Sequence, residues 1–185
     1  MPVYIPGPAV RPASFNIGPW SPEAIGPQIG FYGAWTTFGS ATWPSANLAI
    51  GYPFMLTEPR KVLQMWVYNG SAVSGNVDAG IYDAAGNKII AKGSTAQSGT
   101  SDLQLLDVTD TWLPTNQLLY AWMALDNTTG TTTRLAGGVS LAQTGGTGVV
   151  QMASGFSSGL VATITPAAIA SNYIPAFGPV FTSTI

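Results

Sequence analysis

The clearest pattern in the chain is a two-residue alternation of side chains over residues 61–68, typical of a β-strand. One set is Leu63, Met65 and Val67, and the other is Gln64, Trp66 and Tyr68. The first set is predicted to face the core. The Asn69-Gly70 dipeptide follows and predicts the start of a loop.

A second alternating segment predicts a hairpin. Residues 76–82 place Val77, Ala79 and Ile81 on one side of a strand, and residues 88–92 return after the turn formed by residues 83–87. Gly86 stands where that turn needs left-handed geometry.

Further strands are predicted along the rest of the chain, giving about eight to ten in all. Their ranges are 48–56, 102–108, 118–125, 131–135, 149–153, 160–165 and 180–184. Apolar residues do not recur at helical spacing over two turns, and no repeat of fixed period is present. The sequence therefore predicts an all-β fold, an antiparallel β-sandwich of jelly-roll type.

Proline divides the chain into an arm and a body. Ten of the fourteen prolines fall at or before Pro59, and none lies between Arg60 and Leu113. Since proline cannot donate to a strand ladder, residues 60–113 are predicted to form the central sheet region. Residues 1–30 are predicted to form an extended arm that docks on a partner, and residues 31–185 a single sandwich domain.

Charge is concentrated in the same central region. Twelve of the fourteen charged side chains lie between Glu58 and Arg134, and residues 135–185 carry none. A dispersed monomer usually has a surface with roughly 25–35 % charged residues, whereas this chain has 8 % overall. Much of the surface is therefore predicted to be covered by other copies of the chain or by another protein.

Six scattered basic residues and a net charge of −2 argue against nucleic acid as a partner. The longest apolar runs are too short for a membrane span, so no membrane partner is predicted.

The chain contains few of the residue types that enzymes use for catalysis. The chain has no His and no Cys, which removes the commonest general base, the strongest nucleophile and the usual zinc ligands. Asp107 and Asp110 are the closest carboxylate pair for a glycosidase, but turn capping is the preferred interpretation. Six aspartates are candidates for a structural Ca²⁺ site, without the usual ligand spacing. The glycines near residues 137 and 145–148 lack the lysine of a phosphate loop. The prediction is a protein without enzymatic activity, cofactor or metal.

Aromatic side chains form the candidate contact set. If the predicted core faces are right, Trp66, Tyr68 and Tyr82 share the opposite face, and Tyr120 and Trp122 alternate in the same manner. Trp20 lies in the arm and belongs to the same set. We interpret these rings as covered by the same chain or by a neighbouring subunit, because an exposed apolar patch of this size favours aggregation. Stacking on a glycan is the alternative.

Four stretches carry a resemblance to a known family: residues 60–68, residues 80–90 with the motif Gly-Ile-Tyr-Asp-Ala-Ala-Gly-Asn-Lys-Ile-Ile, residues 111–114 and residues 119–124. Together they resemble jelly-roll domains of tailed-phage virion proteins: head decoration or cement proteins, head fibres and tail appendages. The resemblance covers about residues 60–135. It implies a homo-oligomer, with a trimer favoured, attached to the major capsid or tail protein of a particle assembled in the host cytoplasm.

The leading hypothesis is thus a structural virion protein that oligomerises through its sandwich and docks its arm on a neighbour. The main alternative is a carbohydrate-binding module of a receptor-binding tail appendage. A carboxylate hydrolase built on Asp107 and Asp110 is a third, weaker hypothesis.

Overall fold

The computed structural model describes residues 38–56, 58–135, 149–170 and 173–181, which contain twelve strands and no helix. The strands are β1 (Phe38–Thr42), β2 (Ala49–Phe54), β3 (Arg60–Tyr68), β4 (Asn76–Asp83), β5 (Lys88–Ala91), β6 (Thr95–Ala96), β7 (Leu103–Leu113), β8 (Leu119–Leu125), β9 (Thr131–Leu135), β10 (Val150–Met152), β11 (Ala167–Ala168) and β12 (Phe177–Phe181). The described part of the chain thus offers no helix that could cross a membrane. The arm of residues 1–30 and the glycines near residues 137 and 145–148 lie outside the described residues.

Two antiparallel sheets form the sandwich. The large sheet has the order β11-β10-β2-β8-β4-β5, with β6 also paired to β4, and the small sheet has the order β12-β3-β7. A separate pair, β1 with β9, is antiparallel too. The chain passes from one sheet to the other between β2 and β3, β3 and β4, β6 and β7, β7 and β8, and β11 and β12. This connectivity gives the jelly-roll-like antiparallel β-sandwich that the sequence predicts.

The main core lies between the two sheets. Its buried side chains come from both of them, among others Ile50, Tyr52, Val77, Ile81 and Met123 from the large sheet and Val62, Met65, Val67, Leu106 and Phe177 from the small sheet. The Tyr52 hydroxyl donates a hydrogen bond to the Phe177 carbonyl, and the two rings lie 4.6 Å apart between centroids. The core therefore joins the sheets by apolar contact and by a bond from one sheet to the other.

The predicted hairpin of residues 76–92 is confirmed. Strands β4 and β5 pair with Ile81 opposite Ile90, and Gly86 has a φ of 83° in the turn between them. The Asp83 carboxylate accepts a hydrogen bond from the Asn87 amide at 2.8 Å, which closes the turn. Both sides of β4 are buried, because the cover described below lies on its second side.

One core assignment in β3 is wrong. Leu63 is half-buried instead of lying in the core, while Val62 is fully buried. The register of β3 with β7 shifts between Val62 and Gln64, so the alternation changes sides at this point. A β-bulge has this effect, and the two-residue pattern of the sequence does not reveal it.

The flanking strands differ from the prediction in two places. Residues 160–165 form no strand; they contain only single bridges, from Leu160 to Phe156 and from Thr163 to Asn87. The last strand begins at Phe177, three residues before the predicted start, and residues 182–184 lie outside the described residues.

Prolines also occur within strands outside the central region. Pro179 lies in β12 at the edge of the small sheet, and Pro53 lies in β2 beyond the residues that pair with β10. At both positions the N–H that proline lacks is not needed for pairing with a neighbouring strand. The middle of the large sheet is formed by β2, β8 and β4, so the proline-free region supplies only part of it.

Candidate interaction surface

The small sheet has an apolar side that faces away from the core. We call it the outer face; it is formed by Trp66 and Tyr68 of β3 and Leu103 and Leu105 of β7. Tyr68 lies opposite Leu103 and Trp66 opposite Leu105 in the strand register, so the four side chains are direct neighbours. Leu103 and Leu105 are 46 % and 51 % exposed, and Tyr68 is 39 % exposed. Large apolar side chains grouped this way on an exposed sheet mark a contact surface.

Strand β7 carries the outer face to an edge of the sheet. Among the described residues β7 pairs with β3 alone, so its other edge has backbone groups available for another strand. Asp107 continues the exposed side beyond Leu105, and the alternate residues Gln104, Leu106 and Val108 are buried. Within the part of the chain that the structure describes, the outer face is therefore open both at its surface and along one edge.

Sequence reasoning predicted the strand of residues 102–108 but missed its contact surface. The signal lies in the run of Leu103, Leu105 and Leu106, which makes both sides of one strand apolar. An apolar residue on each side indicates either a strand buried on both sides or a strand with an unoccupied contact side. Which of these two arrangements applies to a strand depends on the strands that lie next to it.

The outer side of the large sheet is covered by the same chain. Tyr82 and Trp122 are fully buried beneath residues 155–165, which we call the cover segment. Phe156, Leu160 and Ile164 of the cover segment pack in one cluster with these two rings. The Tyr82 hydroxyl donates a hydrogen bond to the Val161 carbonyl at 2.5 Å. This side of the sandwich is therefore closed, in contrast to the outer face of the small sheet.

Asp78 attaches the cover segment to the large sheet. Its carboxylate is fully buried and accepts hydrogen bonds from the Leu160 amide at 2.7 Å and the Gly93 amide at 2.9 Å. The Lys88 ammonium group donates to the Leu160 carbonyl at 2.7 Å. Burial raises the pKa of Asp78, although the two amide bonds and the charge of Lys88 oppose this change.

This pKa shift predicts a pH dependence of stability. Because the folded state binds the Asp78 proton more tightly than the unfolded state, the stability of the wild-type chain relative to Asp78→Asn is expected to rise as the pH falls through the raised pKa toward about 3.9. Asp83 is the control, since hydrogen bonds from the Asn87 backbone and side chain lower its pKa. Relative to Asp83→Asn, the wild-type chain should lose stability below about pH 3.9. Urea unfolding at several pH values measures both differences; equal slopes would contradict the assignment for Asp78.

A buried polar cluster holds the turn that leads into β7. Asn69, at the end of β3, is fully buried; its amide group donates to the Gln104 side-chain oxygen at 3.0 Å, and its side-chain oxygen accepts a bond from Gln97 at 2.9 Å. Gln97 also donates to the Thr131 carbonyl at 2.7 Å. The cluster thus joins β3, β7 and β9, and it fixes the start of β7 beside Tyr68.

The six aromatic residues of the predicted contact set lie in different places. Trp66 and Tyr68 lie on the outer face of the small sheet, whereas Tyr82 and Trp122 are fully buried in the large sheet. Tyr120 is half-buried and packs against Trp122, with ring centroids 6.2 Å apart. Trp20 lies outside the described residues. The structure therefore brings together Trp66 with Tyr68, and separately Tyr82 with Tyr120 and Trp122.

The acidic candidates do not form the turn caps that the sequence suggests. Asp107 and Asp110 lie within β7, and Asp110 forms an ion pair with Lys61 at 2.5 Å. Residues at turns, such as Asp83 and Asn127, perform the capping instead. Within the described ranges no three carboxylates come together as metal ligands.

No protein-family model, curated protein or solved structure matches the chain. The function is therefore inferred from the geometry of the chain's own residues, above all from the outer face.

Proposed function

We propose that this chain is a structural subunit without enzymatic activity, which assembles with other copies of itself through the outer face of the small sheet. The single observation that supports this function is the grouping of Tyr68, Leu103 and Leu105 at 39–51 % exposure beside an edge strand. Full burial of one leucine side chain contributes about 1.5–3 kcal/mol. A few such side chains, repeated in every copy, stabilise an assembly through many weak contacts.

The charge distribution supports the same function. The chain has 8 % charged residues, and Asp107 is the charged residue next to Leu105 on the exposed side of β7. Charged residues are depleted in the centres of protein interfaces. A mostly uncharged face therefore fits a protein contact better than lasting exposure to water.

Within this class we propose a virion protein of a tailed phage, of the decoration or cement type, on the basis of the resemblance over residues 60–135. Those residues contain strands β3 to β9, including both strands that form the outer face. The proposal places the chain in many copies on the major capsid or tail protein, with a trimer as the favoured oligomer. Mass spectrometry of purified phage particles tests it. We expect the chain at a copy number that is a multiple of its oligomer, and absence from particles would contradict it.

A carbohydrate-binding module is the second candidate, supported by the adjacent rings of Trp66 and Tyr68 on the outer face. Tyr82 and Trp122 are covered, so stacking on a sugar would depend on the β3 pair. A glycan array separates the two functions. Binding that Tyr68→Ala abolishes, with the oligomer unchanged, would favour the glycan.

Leu105→Lys tests the proposed assembly. Leu105 is half exposed, so a lysine is expected to leave the fold intact while it places a charge in the contact, and the oligomer should dissociate to monomers. Leu118→Lys is the matched control, because Leu118 is 44 % exposed and does not belong to the outer face. Light scattering measures the mass and circular dichroism the fold. An unchanged oligomer of folded Leu105→Lys would contradict the proposed interface.

A further inference from the structure

We propose that the edge of β7 that pairs with no described strand binds residues 11–17 of the arm of a second copy, as an added antiparallel strand. This inference rests on the proposed function and names the partner segment. Residues 11–17 lie outside the described residues, whereas every residue of the binding edge is described.

The size of the outer face favours a single segment over a second sheet. Its two strands lie about 4.8 Å apart, and the three positions from Trp66 to Tyr68 and from Leu103 to Leu105 at about 3.3 Å per residue present roughly 100 Å² of sheet. A stable interface between two proteins needs about 800 Å² per partner. The outer face alone is therefore too small for a dimer of sheets, but it suits a short extended segment that adds backbone hydrogen bonds at the edge.

The arm contains a segment with the required spacing. Residues 13–18 are the longest run without proline in residues 1–30, and Phe15 and Ile17 are two positions apart. In an added strand both side chains point to the same side. With Ile17 opposite Leu103 and Phe15 opposite Leu105, they extend the outer face by one strand. Pro12 then lies in an edge strand, where its missing N–H can face outward.

The charges of Arg11 and Asp107 favour an antiparallel direction for the added strand. In this register Ala13 lies opposite Asp107, and Arg11, on the same side of the added strand, comes within reach of the Asp107 carboxylate. Asp107 is exposed and has no ion-pair partner among the described residues, while Asp110 already binds Lys61. Arg11 is the one basic residue of the arm. A parallel strand would place it at the other end of β7.

The length of the connection favours exchange between copies. Residues 18–37 contain Pro19, Pro22 and Pro27, and twenty residues at about 3.1 Å each span roughly 60 Å when extended. A body of about 150 residues is roughly 40 Å across. Strand β1 starts close to its own β7, because Ser40 bonds Ser71 at 2.9 Å and the Ser101 amide donates to the Gly70 carbonyl at 2.7 Å. A connection of twenty residues is longer than this short return requires, and it is long enough to reach a second copy.

Cross-linking of two differently tagged chains tests the exchange. The natural chain has no cysteine, so Ile17→Cys in one full-length chain and Leu103→Cys in the other place one thiol in each. After co-expression and treatment with a short bismaleimide, we expect a product of about twice the 19.2 kDa chain mass that carries both tags. Leu118→Cys in place of Leu103→Cys is the matched control, with a yield at least several-fold lower.

Other outcomes overturn the inference in distinguishable ways. If a chain with both cysteines links only within itself, and the tagged chains do not link, the arm binds its own β7 and the exchange is wrong. If no product forms in either case, the arm does not bind at β7. The proposed function survives both outcomes as long as Leu105→Lys still dissociates the oligomer, and it fails if Leu105→Lys does not.

A charge exchange tests the register. Arg11→Asp is expected to lower the yield of the link between Ile17→Cys and Leu103→Cys several-fold, and addition of Asp107→Arg in the same chains should restore it. Lys61 and Asp110 stay unchanged as a second, independent ion pair. A yield that Arg11→Asp does not lower, or that Asp107→Arg does not restore, would contradict the pairing of Arg11 with Asp107.

Discussion

Replacement of Asp78 by alanine is expected to lower the free energy of unfolding by about 3 kcal/mol. The variant loses the acceptor for the Leu160 and Gly93 amides and leaves these donors without their partner inside the protein. Relief of the buried charge offsets part of the loss, because burial disfavours the ionised carboxylate. Urea unfolding measures the change, and hydrogen exchange of the amides of residues 155–165 reports loosening of the cover segment.

Asp102→Ala is the matched control for Asp78→Ala. Asp102 is exposed and its carboxylate accepts one bond, from the Leu103 amide at 2.7 Å, so its loss should cost less than about 1 kcal/mol. Equal destabilisation by the two substitutions would show that Asp78 has no special part in holding the cover segment. Unchanged exchange of residues 155–165 in Asp78→Ala would lead to the same conclusion.

Asn69→Ala is expected to destabilise the fold by about 3 kcal/mol as well. Alanine removes one hydrogen bond to each of the buried side chains of Gln97 and Gln104, and it also removes the bond that the Asn69 amide group donates to the Ser98 carbonyl. Since the cluster fixes the start of β7 beside β3, we also expect faster exchange of the backbone amides of residues 98–104. Thermal unfolding and hydrogen exchange measure the two effects.

Asn87→Ala serves as the control for the buried asparagine. Asn87 is exposed, and its side chain forms one bond with Asp83 at 3.2 Å in the β4–β5 turn. Its replacement should cost less than about 1 kcal/mol. If Asn69→Ala were no more harmful than Asn87→Ala, the buried cluster would not organise this end of the small sheet.

Much of the fold could be predicted from the sequence because its strands alternate regularly. The β4–β5 hairpin follows from Val77, Ala79 and Ile81 with Gly86 at the turn, and the structure has it at these residues. The bulge that removes Leu63 from the core depends on how β3 pairs with β7, which is a contact between distant segments. Local periodicity contains no information on such a shift.

The interaction surface could be predicted only in part, for a related reason. Trp66 and Tyr82 are both predicted on the side of their strand that faces away from the core. Trp66 lies on the outer face, whereas Tyr82 lies beneath the cover segment. The difference arises from residues 155–165, which form no regular strand and whose place over the large sheet depends on the bonds to Asp78. Leu103 and Leu105 were missed because an apolar residue on a strand does not by itself reveal which side stays uncovered.

The two outer sides of the sandwich differ in how they are covered. The large sheet is closed by its own cover segment, whereas the small sheet presents Leu103 and Leu105 beside an edge that no strand of the described ranges occupies. We propose that another copy of the chain completes this second side.

Sedimentation velocity of the full-length chain over a range of concentrations shows whether the chain assembles. We predict a species whose mass is an integer multiple of 19.2 kDa, with three copies favoured. A folded species of 19.2 kDa at every concentration would contradict the account, because Leu103 and Leu105 would then remain in contact with water.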